Sequence, residues 1–191
     1  MDTEEYSARR NLVLAYLEAG EIKAAYRELL DLIKLDPESD WSWAHLGVTM
    51  VSMGDLDSAE RLFVKYSRTY KHNYGLWYAY GNILAQRKKW DLAERAFRRA
   101  LEIRPDDPDA RVYLGSVFRA KGNPEAALRA YRRATQDDPD HFTAWVNSGM
   151  VLMAMMRESE AVEAFEKAQS IDAHKFDNVV SSVRGTLGGV M

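Results

Sequence analysis

The sequence predicts an all-α fold: a solenoid of five tandem 34-residue helix–turn–helix repeats closed by a short C-terminal helix. Three observations predict it. Pro105 and Pro139 stand 34 residues apart, and Pro37 falls in the same register two periods before Pro105. One column of that frame is alanine throughout, at Ala25, Ala59, Ala93, Ala127 and Ala161. A large side chain follows four positions later each time, as Leu29, Phe63, Phe97, Tyr131 and Phe165. A period of this length marks stacked helical units, because a single two-helix unit cannot bury its apolar face alone.

The frame divides the chain, without insertion, into repeats 6–39, 40–73, 74–107, 108–141 and 142–175. In the first, Leu12 holds the apolar seventh position, and Gly20 lies between the paired helices, where a left-handed C-cap is wanted. The second brings Trp43 at its fourth position, Leu46, then Gly47 at its eighth, with Gly54 in the turn. The third repeats the order with Trp77, Tyr80 and Gly81. In the fourth, Leu114 and Gly115 are followed by Gly122, and Asn123-Pro124 supplies an N-cap and a first-turn proline. The fifth has Trp145 and Gly149, but Ser148 breaks the apolar seventh column. Small residues at the eighth and twentieth positions let antiparallel helices approach closely, and the aromatic and leucine columns fill the space around them. Residues 176–191 begin in register, with Phe176, Val179 and Val183 on one helical face. They read as a short helix covering the last repeat, ended by Gly185-Thr186-Leu187-Gly188-Gly189 and leaving a frayed tail. Residues 1–5 read as disordered or as a helix extension.

These columns resemble the tetratricopeptide repeat (TPR) pattern, and LWYAYGNILAQRKKWDLAERAFRRALEIRPDD is similar to its consensus along its length. The resemblance covers residues 6–175. Lys71 and Ala173 depart from it in place of the terminal proline, and Arg9 and Arg111 in place of the tryptophan. It implies a right-handed superhelix in which the first helix of each repeat lines a concave groove. It also implies that positions 2, 5, 6, 9, 12 and 13 of each repeat face that groove. The candidate partner-binding residues in those columns are Arg10, Asn11, Trp41, His45, Tyr78, Asn82, Tyr113, Arg119, Asn147 and Met150. Glu18, Val48, Gln86, Ser116, Val146 and Met153 share the columns. Aromatic and arginine anchors concentrate binding energy, amides hydrogen-bond a ligand backbone, and Met adapts to irregular partners. The lining suits an extended or helical peptide with a few apolar side chains better than a highly acidic one. Trp43, Trp77, Trp90 and Trp145 fall in packing columns, whereas recognition and packing remain equal readings for Trp41.

Other function classes find little support. The 191 residues carry a formal net charge of −3, with acids and bases interspersed, so nothing draws the chain to phosphate backbones or anionic membranes. No segment reads as a secretory signal or a membrane span. Cysteine is absent, which is compatible with a reducing cytosol, and the chain is read as cytoplasmic. The glycines recur singly at structural columns rather than in a phosphate loop. The histidines 45, 72, 141 and 174 show no zinc-motif spacing, so neither an enzyme nor a cofactor is expected. Chaperone adaptors of the TPR class grip a carboxylate with lysines, asparagines and arginine in three consecutive repeats. The matching columns starting at the third repeat hold Tyr78, Asn82, Tyr113, Thr143 and Asn147, and no other run completes that clamp. Arg95, Arg98, Arg99, Arg129, Arg132 and Arg133 recur on second helices, with Glu94, Glu102 and Glu125 nearby. They read first as a solvated, paired face, and otherwise as a contact for an acidic partner or nucleic acid. The expected function is a non-enzymatic scaffold or adaptor holding a protein or peptide, with a self-assembling scaffold as the alternative.

Overall fold

The computed structural model describes residues 3–188, and among them it contains eleven helices and no strand. The chain divides into two compact bodies, Met1–Pro105 and Asp106–Met191. The first holds α1 (Thr3–Glu18), α2 (Ile22–Leu35), α3 (Asp40–Ser52), α4 (Leu56–Ser67), α5 (Tyr74–Gln86) and α6 (Trp90–Ile103). The second holds α7 (Pro108–Ala120), α8 (Pro124–Asp137), α9 (Phe142–Ala154), α10 (Glu158–Ile171) and α11 (Ala173–Gly188). Helix α1 continues N-terminally past Tyr6, so the described part of residues 1–5 is a helix extension.

The turns inside each helix pair have one backbone geometry. Gly20, Gly54 and Gly122 take φ of +73°, +74° and +75°, as the C-cap reading expects. Lys88 and Met156 occupy the same slot at φ +58° and +59°, a conformation that crowds any Cβ. Asn123 then accepts the N–H of Ala126 at 3.0 Å and Pro124 opens α8, so the expected cap is formed. Asp55, Asn73, Asp107 and His141 cap α4, α5, α7 and α9 in the same way.

The glycine column and the large column four after alanine turn out to be one device. A Cβ at Gly81 would stand 2.8 Å from the Phe97 ring, one at Gly115 2.5 Å from Tyr131, and one at Gly149 2.5 Å from Phe165. Each aromatic ring therefore lies against the glycine of its partner helix. In the first pair Val13 and Leu29, both fully buried, share the volume differently. The second pair is the exception. A Cβ at Gly47 would stand 2.5 Å from the Ala79 Cβ, and α3 packs more extensively on α5 than on α4. Phe63 stands edge-on to Trp43 instead, with ring centroids 5.7 Å apart.

The tryptophan column has a hydrogen-bonding reason as well as a packing one. Trp43, Trp77 and Trp145 each donate Nε1–H to a carbonyl six residues back: Pro37 at 2.8 Å, Lys71 at 3.0 Å and Pro139 at 2.8 Å. The indole thus locks the loop that delivers its helix. Where arginine replaces it, an ion pair ties the first helix to the second: Arg9 reaches Glu28 at 3.1 Å, and Arg111 reaches Asp137.

At the C-terminus, α11 begins at Ala173, before the expected start at residue 176. Without a proline at 173, only Asp172 separates it from α10, and Asp172 Oδ1 accepts the N–H of Lys175 at 2.9 Å. Phe176 packs on Phe165, with ring centroids 5.9 Å apart. The helix runs through Gly185 to Gly188, so the glycines do not end it where the sequence suggested, and the expected frayed tail after Gly188 lies outside the described residues. Two packing expectations also shift. Leu12 is exposed because Val13 takes the core position of α1. Val146, placed in a groove column, is buried.

Candidate functional site

In the N-terminal body, the first helices α1, α3 and α5 carry six of the candidate residues. Arg10 and Trp41 meet: the guanidinium carbon lies 4.5 Å from the indole centroid. His45 stacks on the same indole at 3.9 Å, with an interplanar angle of 25°. Its Nδ1–H donates to the Trp41 carbonyl at 2.9 Å. Burial lowers the His45 pKa below the ordinary 6.5, and the charge of Arg10 pushes the same way, against the raising effect of that hydrogen bond. Trp41 thus contacts both an imidazole and a cation. The tryptophan ring holds the Arg10 guanidinium by a cation–π contact.

These residues line a cleft of about 510 Å³ with Tyr6, Asp36, Ser39, Asp40, Tyr74 and Arg104. Arg104 is ion-paired with Asp40 and lies 4.3 Å over the Tyr74 ring. Asp40 also accepts the N–H of Gly75 at 2.9 Å. A Cβ at position 75 would collide with the Asp40 backbone, so glycine is what lets α5 approach α3 this closely. Tyr6 donates to Ser39 Oγ at 2.5 Å. The sequence reading missed Tyr6, Asp40 and Tyr74, which share the first position of their repeats. It considered only the columns that the resemblance assigns to the groove, although the tyrosines at 6 and 74 were a visible signal.

Tyr78 stacks on Tyr74 at 5.7 Å and meets Phe97 edge-on at 6.2 Å, so it supports packing as well as presenting an edge. Asn82 is partly exposed, and its amide has no hydrogen-bond partner among the described residues. Asn11 is exposed on α1 and does not line the cleft.

The C-terminal body carries Tyr113, Arg119, Asn147 and Met150 on α7 and α9. Tyr113, Met150 and Met153 are exposed, and the amide of Asn147 has no partner among the described residues. Arg119 hydrogen-bonds the Tyr131 hydroxyl, which also lies 3.1 Å from Ser116 Oγ. Burial raises the Tyr131 pKa and keeps this phenol neutral.

On the second helices, most of the recurring arginines are paired. Arg98 pairs with Glu94, Arg99 with Glu102, Arg132 with Glu160 and Arg133 with Asp137. The solvated, paired face is what these contacts build. Among the described residues, no helix is long and apolar enough to cross a membrane, and no group of His, Asp or Glu is placed to hold a metal.

Helix pairs with left-handed turns, a glycine column under aromatic rings and loop-locking tryptophans define a tetratricopeptide-repeat protein. Residues 43–172 match the family model of the cilia and flagella-associated protein 70 middle TPR-like domain, and the chain belongs to that family. A search of curated proteins finds no match. Among solved structures, MamA from Desulfovibrio magneticus RS-1 is similar at 20% identity and TM-score 0.70, over 91% of this chain and 98% of that one. YrrB, described as a TPR protein with an unusual peptide-binding site, is 24% identical with TM-score 0.65, over 90% of this chain and 89% of that one. PilF of Pseudomonas aeruginosa is 19% identical with TM-score 0.74, over 87% of this chain and 76% of that one. At these identities the likeness establishes the fold.

Proposed function

We propose that the chain is a non-enzymatic interaction scaffold in which the first helices of its repeats hold peptide segments of a partner protein. The supporting observation is where apolar side chains are left in water. Leu14 is 41% exposed, Val48 57% and Met150 37%, all on first helices at the ninth position of their repeats, and Tyr113 and Met153 are exposed in other groove columns. The packing columns of the same helices are buried, as at Leu46, Leu114 and Val151. Further exposed apolar side chains lie on second helices, as at Val64 and Val162. Apolar side chains kept exposed at corresponding positions suit a partner that covers them. The free amides of Asn82 and Asn147 suit a partner with unpaired backbone groups. The peptide-binding description of YrrB is in keeping with this reading. We place the protein in the cytoplasm, without a cofactor and without a chaperone-type carboxylate clamp.

The test is affinity capture followed by mass spectrometry, comparing the wild type with an Asn82→Ala/Tyr113→Ala variant. Both substitutions remove exposed or half-exposed groups, so helicity and melting should be unchanged. The proposal expects partners retained by the wild type to be lost by the variant. Equal retention by both would sink it.

A further inference from the structure

We propose that the cleft between α1 and α3 grips an acidic side chain of the bound peptide, with the Arg10 guanidinium as anchor. The inference rests on the groove reading above and names the chemistry of one contact.

Arg10 is half-buried, yet it makes no ion pair and donates no hydrogen bond to any described residue. That sets it apart from the other half-buried arginines, Arg9, Arg87, Arg99, Arg111 and Arg157, which all bind carboxylates. Its guanidinium is nonetheless placed by the contact with the Trp41 ring, on which His45 also stacks. The guanidinium is planar, and its N–H fork has the geometry that a carboxylate accepts in a bidentate pair. Little side-chain entropy remains to be lost on binding.

The surroundings decide the charge of the occupant. His45 is held neutral, so it adds no cation. Asp40 is already neutralised by Arg104 and so does not compete for Arg10. Asp36 lines the cleft as a further carboxylate, its Oδ1 accepting the N–H of Glu38 at 3.2 Å. That second carboxylate stands against a run of acids and in favour of one acid flanked by neutral residues. The aromatic walls of Trp41, Tyr6 and Tyr74 suit an apolar neighbour of that acid.

The experiment uses an array of synthetic dodecapeptides, N-acetylated and C-amidated, with Glu, Gln or Leu at a fixed central position between varied neutral residues. It is probed with the full chain as wild type, Arg10→Gln and Arg10→Lys, each checked for unchanged helicity. Among peptides that bind, Glu should be favoured over Gln by about tenfold with the wild type, the effect of one charge-assisted hydrogen-bonded pair. Arg10→Gln should erase that preference without abolishing binding, and Arg10→Lys should keep part of it. Binding without a Glu preference, or a preference that survives Arg10→Gln, overturns the anchor and leaves the groove reading standing. Binding only by versions with a free C-terminal carboxylate also overturns it. If no peptide binds to any variant, the groove reading fails and takes the anchor with it.

Discussion

Ser148 carries a hydroxyl that is buried and has no hydrogen-bond partner. It stands in the column where the other repeats place Leu46, Tyr80 and Leu114. A buried group left unpaired costs about 1–3 kcal/mol, so Ser148→Ala should raise stability by about 1 kcal/mol. A urea midpoint that stays put or falls would contradict this. Met156 presents the opposite case, a backbone cost with nothing bought by the side chain. It is 84% exposed and sits at φ +59°, where other repeats use glycine. The left-handed conformation costs a non-glycine residue about 1–2 kcal/mol, and the extra chain entropy of glycine returns part of that. Met156→Gly should therefore stabilise by about 0.5–1 kcal/mol, read as a shift in the unfolding midpoint at constant m-value. A destabilised variant would mean that the Met156 side chain makes contacts worth more than the strain.

The helix pair is the scale at which sequence columns become contacts, and there the reading was partly legible. Columns of glycine and of large residues are visible in the chain, and so is the need for close approach. Their mutual contact is not, because nothing in a period of 34 says which face of one helix meets which face of the next. The second pair shows the limit: Gly47 obeys its column yet meets Ala79, not Phe63. The candidate site was limited in the same way. Arg10, Trp41 and His45 were legible as groove columns, but their stacking, and the part played by Tyr6, Asp40 and Tyr74, arise only once α1, α3 and α5 are packed. The glycine–aromatic contact can be tested directly at Gly149 and Phe165, which touch at 2.5 Å when a Cβ is added. Gly149→Ala should cost about 1–3 kcal/mol by overpacking. Adding Phe165→Leu, which makes room much as Leu29 does beside Val13, should recover part of that loss. The double variant should then be more stable than the sum of the single losses allows, by about 1 kcal/mol. Strict additivity would mean that the ring does not bear on the glycine.

For the chain as a whole, the response to pH should come in two stages with separate causes. His45 has a folded pKa below 6.5, chiefly through burial. As pH falls through the unfolded value, the unfolded chain takes up a proton that the folded chain refuses, so stability is lost from about pH 7 downward until the folded pKa is passed. The groups facing His45 across the cleft are Arg10, Arg104, Asp36, Asp40 and Tyr6, and Arg10 adds to the lowering. The second stage belongs to carboxylates whose pKa is lowered in the fold. Lys34 bonds Asp31, the N–H and hydroxyl of Ser58 bond Asp55, Arg157 and Arg132 bond Glu160, and Lys175 bonds Asp172. Their contribution is present above the ordinary values of 3.8 for Asp and 4.5 for Glu, and is lost as pH falls through the lower folded values. These four are on the surface, so added salt should weaken this second stage. Urea unfolding of the wild type and His45→Gln from pH 8 to pH 3 separates the two. The wild type should lose stability between about pH 7 and pH 5, and His45→Gln should be flatter there while declining in parallel below about pH 4. His72, His141 and His174 are present in both proteins, so only the difference between the curves reports on His45. Parallel curves above pH 5 would mean that His45 is as easily protonated in the fold as out of it.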